Sequence, residues 1–127
     1  MPVRQVPGSD LQYMLIGFDA AGQERREADG SLASELVLNR LRTLGSSVTD
    51  VFLLSHGWMG DVPAAIDQYD RWLGTMAALD LDRRAAAAQY PGFAPVIIGF
   101  HWPSLPFGDE TLPAGQGGLL SGDTLPM

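Results

Sequence analysis

The sequence predicts an α/β fold in which parallel strands alternate with helices. Two short apolar runs, Val51–Leu54 and Val96–Ile98, consist of residues that favour β-strands. Between them lies a long stretch whose apolar residues recur at helical spacing. A strand, a helix and a second strand joined by a connection of this length form a βαβ unit, which is right-handed in nearly all known cases. We therefore expect the two runs to be neighbouring parallel strands.

The segment before this unit is expected to contribute a strand or hairpin and one helix. Leu11–Asp19 has β-type composition, and Ala20–Gln23 follows as a glycine-containing turn. Glu24–Ala28 could return from that turn as the second strand of a hairpin, but its charge makes it an edge strand at best. Ser31–Leu44 has apolar residues at helical intervals, with its first serine as the N-cap and the following glycine as the stop signal.

The βαβ unit itself is the clearest part of the pattern. Val51–Leu54 is a continuous apolar run, which is typical of a strand covered on both faces. A helix should begin close to Pro63, capped by Asp61 or Val62, because proline fits the first turn of a helix. Arg83–Gln89 is expected to extend this helix or to form a second short one. Pro95–Trp102 then contains the second buried strand. The residues predicted to line the apolar face of the helix are Ile66, Tyr69, Trp72, Leu73, Met76 and Leu79.

Composition and charge exclude several function classes. The chain has 127 residues and a net charge of −7, which argues against nucleic acid and anionic membranes as partners. It contains no cysteine, which removes thiolate catalysis and Cys-ligated zinc from consideration. The polar start, Met1–Asp10, does not resemble a signal peptide, so we expect a cytoplasmic protein. His56 and His101 are the only histidines, and without short ligand spacing we expect no metal and no cofactor.

The stretch most indicative of chemistry follows the first strand of the βαβ unit. Leu54-Ser55-His56-Gly57-Trp58 leaves that strand, and Trp102-Pro103-Ser104 leaves the second. With these two motifs on these elements, the region 49–104 resembles the serine α/β-hydrolases, the esterase and lipase superfamily. It is most similar to a bacterial subset with a His-Gly-Trp or His-Gly-Tyr loop and a Trp-Pro-Ser motif.

The resemblance implies an oxyanion loop formed by His56, Gly57 and Trp58. In this superfamily, one backbone N–H that stabilises the tetrahedral oxyanion comes from the loop after this strand, and the matching donor here is the amide of Trp58. Gly57 would let the backbone turn sharply. His56 would brace the loop, since the catalytic histidine of the family follows the nucleophile and the acid. The alternative is a plain glycine turn leaving a parallel sheet, with Trp58 covering the core.

The nucleophile motif of the family is missing from the sequence. No Gly-x-Ser-x-Gly occurs, and Ser55, Ser104 and Ser121 all fail the pattern. Ser55 does not form a pair with His56, because adjacent residues of a strand point to opposite faces. In the family, the nucleophile strand, the acid and the catalytic histidine all lie downstream of the position of Ser104. We therefore expect an ester or acyl hydrolase relative that is truncated before its nucleophile and is inactive alone.

This interpretation divides the chain and suggests its partners. Residues 1–104 would form the amino-terminal part of an α/β-hydrolase domain, and 105–127 a proline- and glycine-rich tail that is disordered, a lid or a linker. The expected partner is a missing carboxyl-terminal half, or a second copy bound through the sheet edge. The main alternative is a non-catalytic interaction module built on an incomplete α/β sheet. A nucleotide-binding domain ranks last, because Gly57 and Gly60 match neither phosphate-binding glycine pattern.

Overall fold

The computed structural model describes residues 3–104 of the chain, and within them the polypeptide forms a four-stranded sheet flanked by helices. The strands occur in the order β1-β2-β4-β3. Gly45–Ser47 adds a single 3₁₀ turn. In chain order the elements are β1 (Val3–Gln5), β2 (Gln12–Gly17), α1 (Ala33–Leu44), β3 (Asp50–Ser55), α2 (Val62–Ala78), α3 (Asp80–Gln89) and β4 (Pro95–His101).

The predicted α/β fold with neighbouring parallel strands is confirmed. β3 and β4 pair in parallel, with Val51 opposite Val96 and Leu53 opposite Ile98. β2 pairs in parallel with the other side of β4, so that β4 lies between β2 and β3. The short strand β1 is antiparallel to β2 and forms the far edge. The last strand among residues 3–104 is therefore a central strand of the sheet.

The core lies on both faces of the sheet because the buried strands alternate their apolar side chains. Val96 and Ile98 of β4 point to one face and Ile97 points to the other. α1 covers the first face and α2 the second. The buried set under α1 is Met14, Ile16, Ala33, Val37, Val96 and Ile98. The buried set under α2 is Val6, Tyr13, Ala65, Tyr69, Leu73 and Ile97.

β3 differs from its prediction as a strand covered on both faces. It is an edge strand, and Val51, Phe52 and Leu53 keep 47%, 42% and 63% of their surface exposed. The physical reason is its position, since among residues 3–104 it pairs only with β4. The buried apolar residues facing α1 come from β2 and β4, and none comes from β3. An apolar run predicts a strand, but it does not reveal whether the next strand or helix is present.

Three expectations for the first half of the chain are wrong or incomplete. Glu24–Ala28 forms no strand and makes only isolated bridges, Phe18 with Glu24 and Arg26 with Leu32. Ser31 is not the N-cap of α1, because its hydroxyl and amide bind the Asp29 carboxylate instead. Those hydrogen bonds hold the pKa of Asp29 below its usual range. β1 was not expected at all, whereas the stop at the glycine after α1 is confirmed. The interpretation of residues 105–127 lies outside the described residues.

α2 begins as predicted but buries a narrower face than expected. Asp61 is its N-cap, and its carboxylate accepts the N–H of Ala64 at 2.8 Å. Its buried residues follow four-residue spacing and are Ala65, Tyr69 and Leu73. Trp72, which we expected in the core, is 45% exposed. α3 follows as a separate short helix without a buried residue, and no helix in the described range is both long and apolar enough to cross a bilayer.

Candidate functional site

The loop that follows β3, residues 56–60, lies at the carboxyl edge of the parallel strands, where open α/β sheets bind ligands. The loop contacts residues 102–104, which follow the neighbouring strand β4. The two motifs singled out in the sequence are therefore in direct contact.

His56 is the central residue of this contact. It is buried, and its ring stacks with those of His101 and Trp102, with centroid distances of 5.1 and 5.4 Å. The backbone N–H of Trp102 donates to Nε2 of His56 at 3.1 Å. Because Nε2 accepts this bond, the imidazole proton lies on Nδ1, which donates to the carbonyl of Gly57 at 2.7 Å. Both ring nitrogens are thus used in fixing the loop.

Ser104 holds the other end of the loop. Its hydroxyl accepts the N–H of Gly60 at 2.8 Å and donates to the carbonyl of the same residue at 3.1 Å. Its backbone carbonyl accepts the N–H of Met59 at 3.3 Å. The side chain is buried, and its hydroxyl proton is already in use. Ser104 therefore has the environment of a structural residue and not of a nucleophile.

The glycine that the loop requires is Gly60. A Cβ at this position would lie 2.9 Å from Nδ1 of His56, closer than real Cβ contacts, so no side chain fits there. Gly57, which we expected to provide the sharp turn, has no left-handed φ, and a Cβ there would meet open space. The left-handed residue of the turn is Met59, with a φ of 65°.

Trp58 is the residue of the loop that faces solvent. Its side chain is 76% exposed, so it does not cover the core. Its backbone N–H has no acceptor among the described residues, although the neighbouring amides of Met59 and Gly60 are both bonded to Ser104. An open groove of about 550 Å³ separates the loop from the exposed side of α2. The residues lining it include Trp58, Met59, Gln68, Arg71, Trp72 and Thr75.

Tyr69 attaches α2 to the strands beneath the loop. It is fully buried, and its hydroxyl donates to the carbonyl of Phe100 and lies 3.3 Å from that of Leu54. Burial raises the pKa of Tyr69, so the hydroxyl keeps its proton. A Cβ on Gly99 would lie 2.9 Å from the Tyr69 ring, which explains the glycine in the middle of β4.

The site brings together a single type of chemical group. Among residues 3–104, the amides of Gly57 and Trp58 have no acceptor, while the nearby hydroxyl of Ser55 is directed to the carbonyl of His56 at 3.4 Å. No cluster of three metal-ligating side chains occurs in the same range. Such an arrangement can stabilise an anionic oxygen, but it has no nucleophile positioned next to it.

Sequence reasoning found the loop but missed what holds it. The roles of Gly60, Tyr69 and Ser104 depend on contacts between distant segments, such as the bond from Gly60 to Ser104. The available signal was the joint occurrence of Trp-Pro-Ser and His-Gly-Trp, each at the end of a strand. Adjacent parallel strands bring their carboxyl ends to the same edge, so the two motifs could have been expected to touch.

Comparisons with models of protein families, with curated proteins and with solved structures find no match for this chain.

Proposed function

We propose that this chain is a serine α/β-hydrolase-like unit, from an ester or acyl hydrolase parent, that provides an oxyanion loop but no nucleophile. The observation that carries the proposal is the free N–H of Trp58. It lies in a loop at the carboxyl edge of the parallel strands, and the two amides that follow it, of Met59 and Gly60, are bonded to Ser104.

The chemistry that this amide could support is acyl transfer. The reaction passes through a tetrahedral intermediate with a negatively charged oxygen, and a fixed N–H donor aimed at that charge is worth roughly 3 kcal/mol. The donor is effective only if it does not have to reorganise during the reaction. His56 and Ser104 hold the loop from both sides, which supports such a preorganised role for Trp58.

The arrangement of elements supports the same parentage. β3 leads into the His-Gly-Trp loop and then into α2, and β4 ends at Trp102-Pro103-Ser104. Both motifs stand on the elements that the resemblance requires, and they contact each other through His56 and Ser104. The partial α/β-hydrolase fold remains part of this proposal.

Hydrolysis by this chain alone is not expected. A serine hydrolase needs a serine on a sharp turn, a histidine base and an acid. Ser104 is buried and bonded, Ser55 makes no contact with an imidazole nitrogen, and Ser121 lies outside the described residues. We expect no turnover of a nitrophenyl acyl ester and no labelling by a fluorophosphonate. Stoichiometric labelling of any serine would contradict this part of the proposal.

The positive test is reconstitution with the adjoining downstream coding region. We expect it to encode a buried strand, a serine turn of the Gly-x-Ser-x-Gly or His-Ser-x-Gly type, and later an aspartate and a histidine. Co-expression with this chain should give a soluble esterase that is lost when the new serine is replaced. If the region encodes nothing of this kind and the chain is a soluble monomer alone, the proposal is wrong.

The role of the loop is tested separately in the reconstituted protein. Trp58→Pro removes the backbone N–H, and we expect kcat to fall by roughly 10²–10³-fold, the loss typical of one oxyanion donor. Trp58→Ala is the matched control, because it removes the same side chain and keeps the N–H. Equal losses in both variants would assign the effect to the indole and not to the amide.

The second candidate function is a non-catalytic interaction module. The observation in its favour is the edge strand β3, which exposes three consecutive apolar residues. A chain that associates through this edge, and for which no complementary segment restores esterase activity, would favour the module over the hydrolase relative.

A further inference from the structure

The exposed edge strand β3 is apolar over four consecutive residues, Val51–Leu54. Val51 and Leu53 lie on the face of the sheet that carries α1, and Phe52 lies on the opposite face. The only charged residue of β3 is Asp50, at its amino end. Edge strands are ordinarily protected against pairing by lysine, proline, bulges or inward charges. Between Val51 and Ser55, β3 contains no lysine, no proline and no charged residue.

We propose that β3 pairs with β3 of a second copy of this chain, antiparallel and about a two-fold axis, to form a continuous eight-stranded sheet. This inference stands on the exposed edge itself, the same observation that favours the interaction module, and it does not require hydrolase parentage. A two-fold axis perpendicular to the sheet keeps each face on its own side, so that the apolar side chains of one edge meet their counterparts on the other. It also places the two Asp50 carboxylates at opposite ends of the pair, which avoids a contact between like charges.

A protrusion and a groove on each copy support this partner. The protrusion consists of Trp58 and Met59, which are 76% and 57% exposed, just beyond the carboxyl end of β3. The groove, which we call the basal groove, has a volume of about 560 Å³ and lies by the amino ends of β3 and β4. Five of its lining residues are charged: Asp10, Asp80, Asp82, Arg83 and Arg84. The others are apolar: Leu11, Phe52, Met76, Leu79, Ala86, Ala87, Phe93 and Pro95.

Antiparallel pairing brings these two features together. The carboxyl end of one β3 lies beside the amino end of its partner, so the protrusion of each copy approaches the basal groove of the other. Both features lie on the face that carries α2, because the loop of Trp58 leads into this helix and Met76 near its end lines the groove. The two-fold axis produces this contact twice. A parallel arrangement would place the two loops side by side and leave both grooves empty.

The first experiment measures the mass of the full chain across a concentration series by light scattering and sedimentation. We expect twice the chain mass of 13.6 kDa. Leu53→Lys should give a monomer with unchanged circular dichroism, because this side chain is already mostly exposed. Two lysine variants away from β3 are matched controls and should stay dimeric: Leu38→Lys on α1 at 50% exposure and Gln5→Lys on the other edge. A chain that is monomeric at its highest soluble concentration would overturn the proposal, as would equal effects of all three lysines.

A second experiment tests the direction of pairing. The natural chain has no cysteine, so single cysteines report one position each. Leu53→Cys lies near the two-fold axis and should form a disulfide-linked dimer on mild oxidation. Asp50→Cys lies at the end of the strand and should not, since the two copies of this position are separated along the pair. Efficient crosslinking through Asp50→Cys would instead indicate parallel pairing and contradict the proposal.

The contact between protrusion and groove has its own test. Trp58→Ala should raise the dimer dissociation constant at least tenfold, because a large exposed indole that fills an apolar groove is a typical dominant contact of an interface. Leu81→Ala removes a comparably exposed apolar side chain from α3 outside the groove lining and should leave the constant unchanged. If Trp58→Ala has no effect, the groove does not receive the protrusion and this geometry of pairing is wrong.

Discussion

β1 and β3 form the two edges of the same sheet, and they differ in length, composition and cover. β1 has three residues, and its exposed positions are the polar Arg4 and Gln5. Gln5 bonds to Gln12 and to the backbone of Ser9, so the edge is tied into its own turn. β3 has six residues, and its exposed positions are mostly apolar. The first edge is protected from further pairing, whereas the second is suited to receive another strand.

The two sides of the sheet also differ in how they are attached to α2. On each side the attachment is made by the hydroxyl group of a tyrosine. Tyr13 on β2 donates to Asp70 of α2 at 3.0 Å, a bond between side chains. Tyr69 on α2 donates to a backbone carbonyl of β4 and lies beside one of β3. The two rings meet edge to face at 6.0 Å. The β3 side thus depends on a backbone attachment, and the following predictions test that dependence.

The largest effect is expected from Gly99→Ala. The new Cβ would lie 2.9 Å from a Tyr69 ring that is buried and held by its hydroxyl, so we expect a loss of about 1–3 kcal/mol in the free energy of unfolding. Gly17→Ala is the matched control on β2, where the nearest atom would be the Arg25 side chain at 3.6 Å. It should be neutral or slightly stabilising. Urea titration of both variants checks this, and equal losses would contradict the role of Tyr69.

A smaller and more local effect is expected from Tyr69→Phe. Removing the hydroxyl leaves the carbonyl of Phe100 without this donor, at a cost of about 1 kcal/mol. Amide exchange should accelerate at the carboxyl ends of β3 and β4, which the hydroxyl joins. Tyr13→Phe should have a similar cost in stability without faster exchange in β3. If both variants accelerate exchange in β3 equally, the two sides of the sheet are not attached independently.

The smallest effect is expected from the titration of Tyr13, which changes the stability of the fold only at alkaline pH. Burial, reinforced by the Asp70 carboxylate, raises its pKa from 10.0 to about 12. A raised pKa favours the protonated phenol in the folded state, so its contribution is complete below pH 10 and is lost as the pH rises towards 12. Stability of the natural chain should therefore fall more steeply in this window than that of Tyr13→Phe. Parallel pH profiles, measured by urea titration, would contradict the assignment.

The sequence predicted the second half of the fold well, because its signals are local. The run that became β3, the proline that opens α2 and the run that became β4 are each recognisable within a few residues. β1 was missed because three residues are too few to show the alternation of apolar and polar side chains that indicates a strand. Its pairing with β2 also crosses a turn. The N-cap of α1 was misplaced because Asp29 binds the Ser31 hydroxyl that would otherwise cap the helix. That competition is decided by the turn geometry and not by residue type.

The sequence predicted where the candidate site lies but not which contacts hold its loop in place. His56, Gly57 and Trp58 could be singled out from their order after a strand. The contacts that hold them could not, because the bond from Gly60 to Ser104 spans most of the βαβ unit. The exposure of β3 was equally hidden, since an apolar run has the same sequence at the centre and at the edge of a sheet.

The position of β4 has a consequence for the order of folding. β4 is the last strand of the described chain, yet Ile98 pairs with Met14 on one side and with Leu53 on the other. During synthesis, β2 and β3 therefore have no shared neighbour until β4 has left the ribosome. Pairings between residues so distant in sequence slow folding, because the intervening chain must be ordered before they form. We expect β3 and the edge of β2 that does not face β1 to stay unpaired in the nascent chain until residues 95–101 emerge, which makes this interval the one in which it is most prone to aggregation.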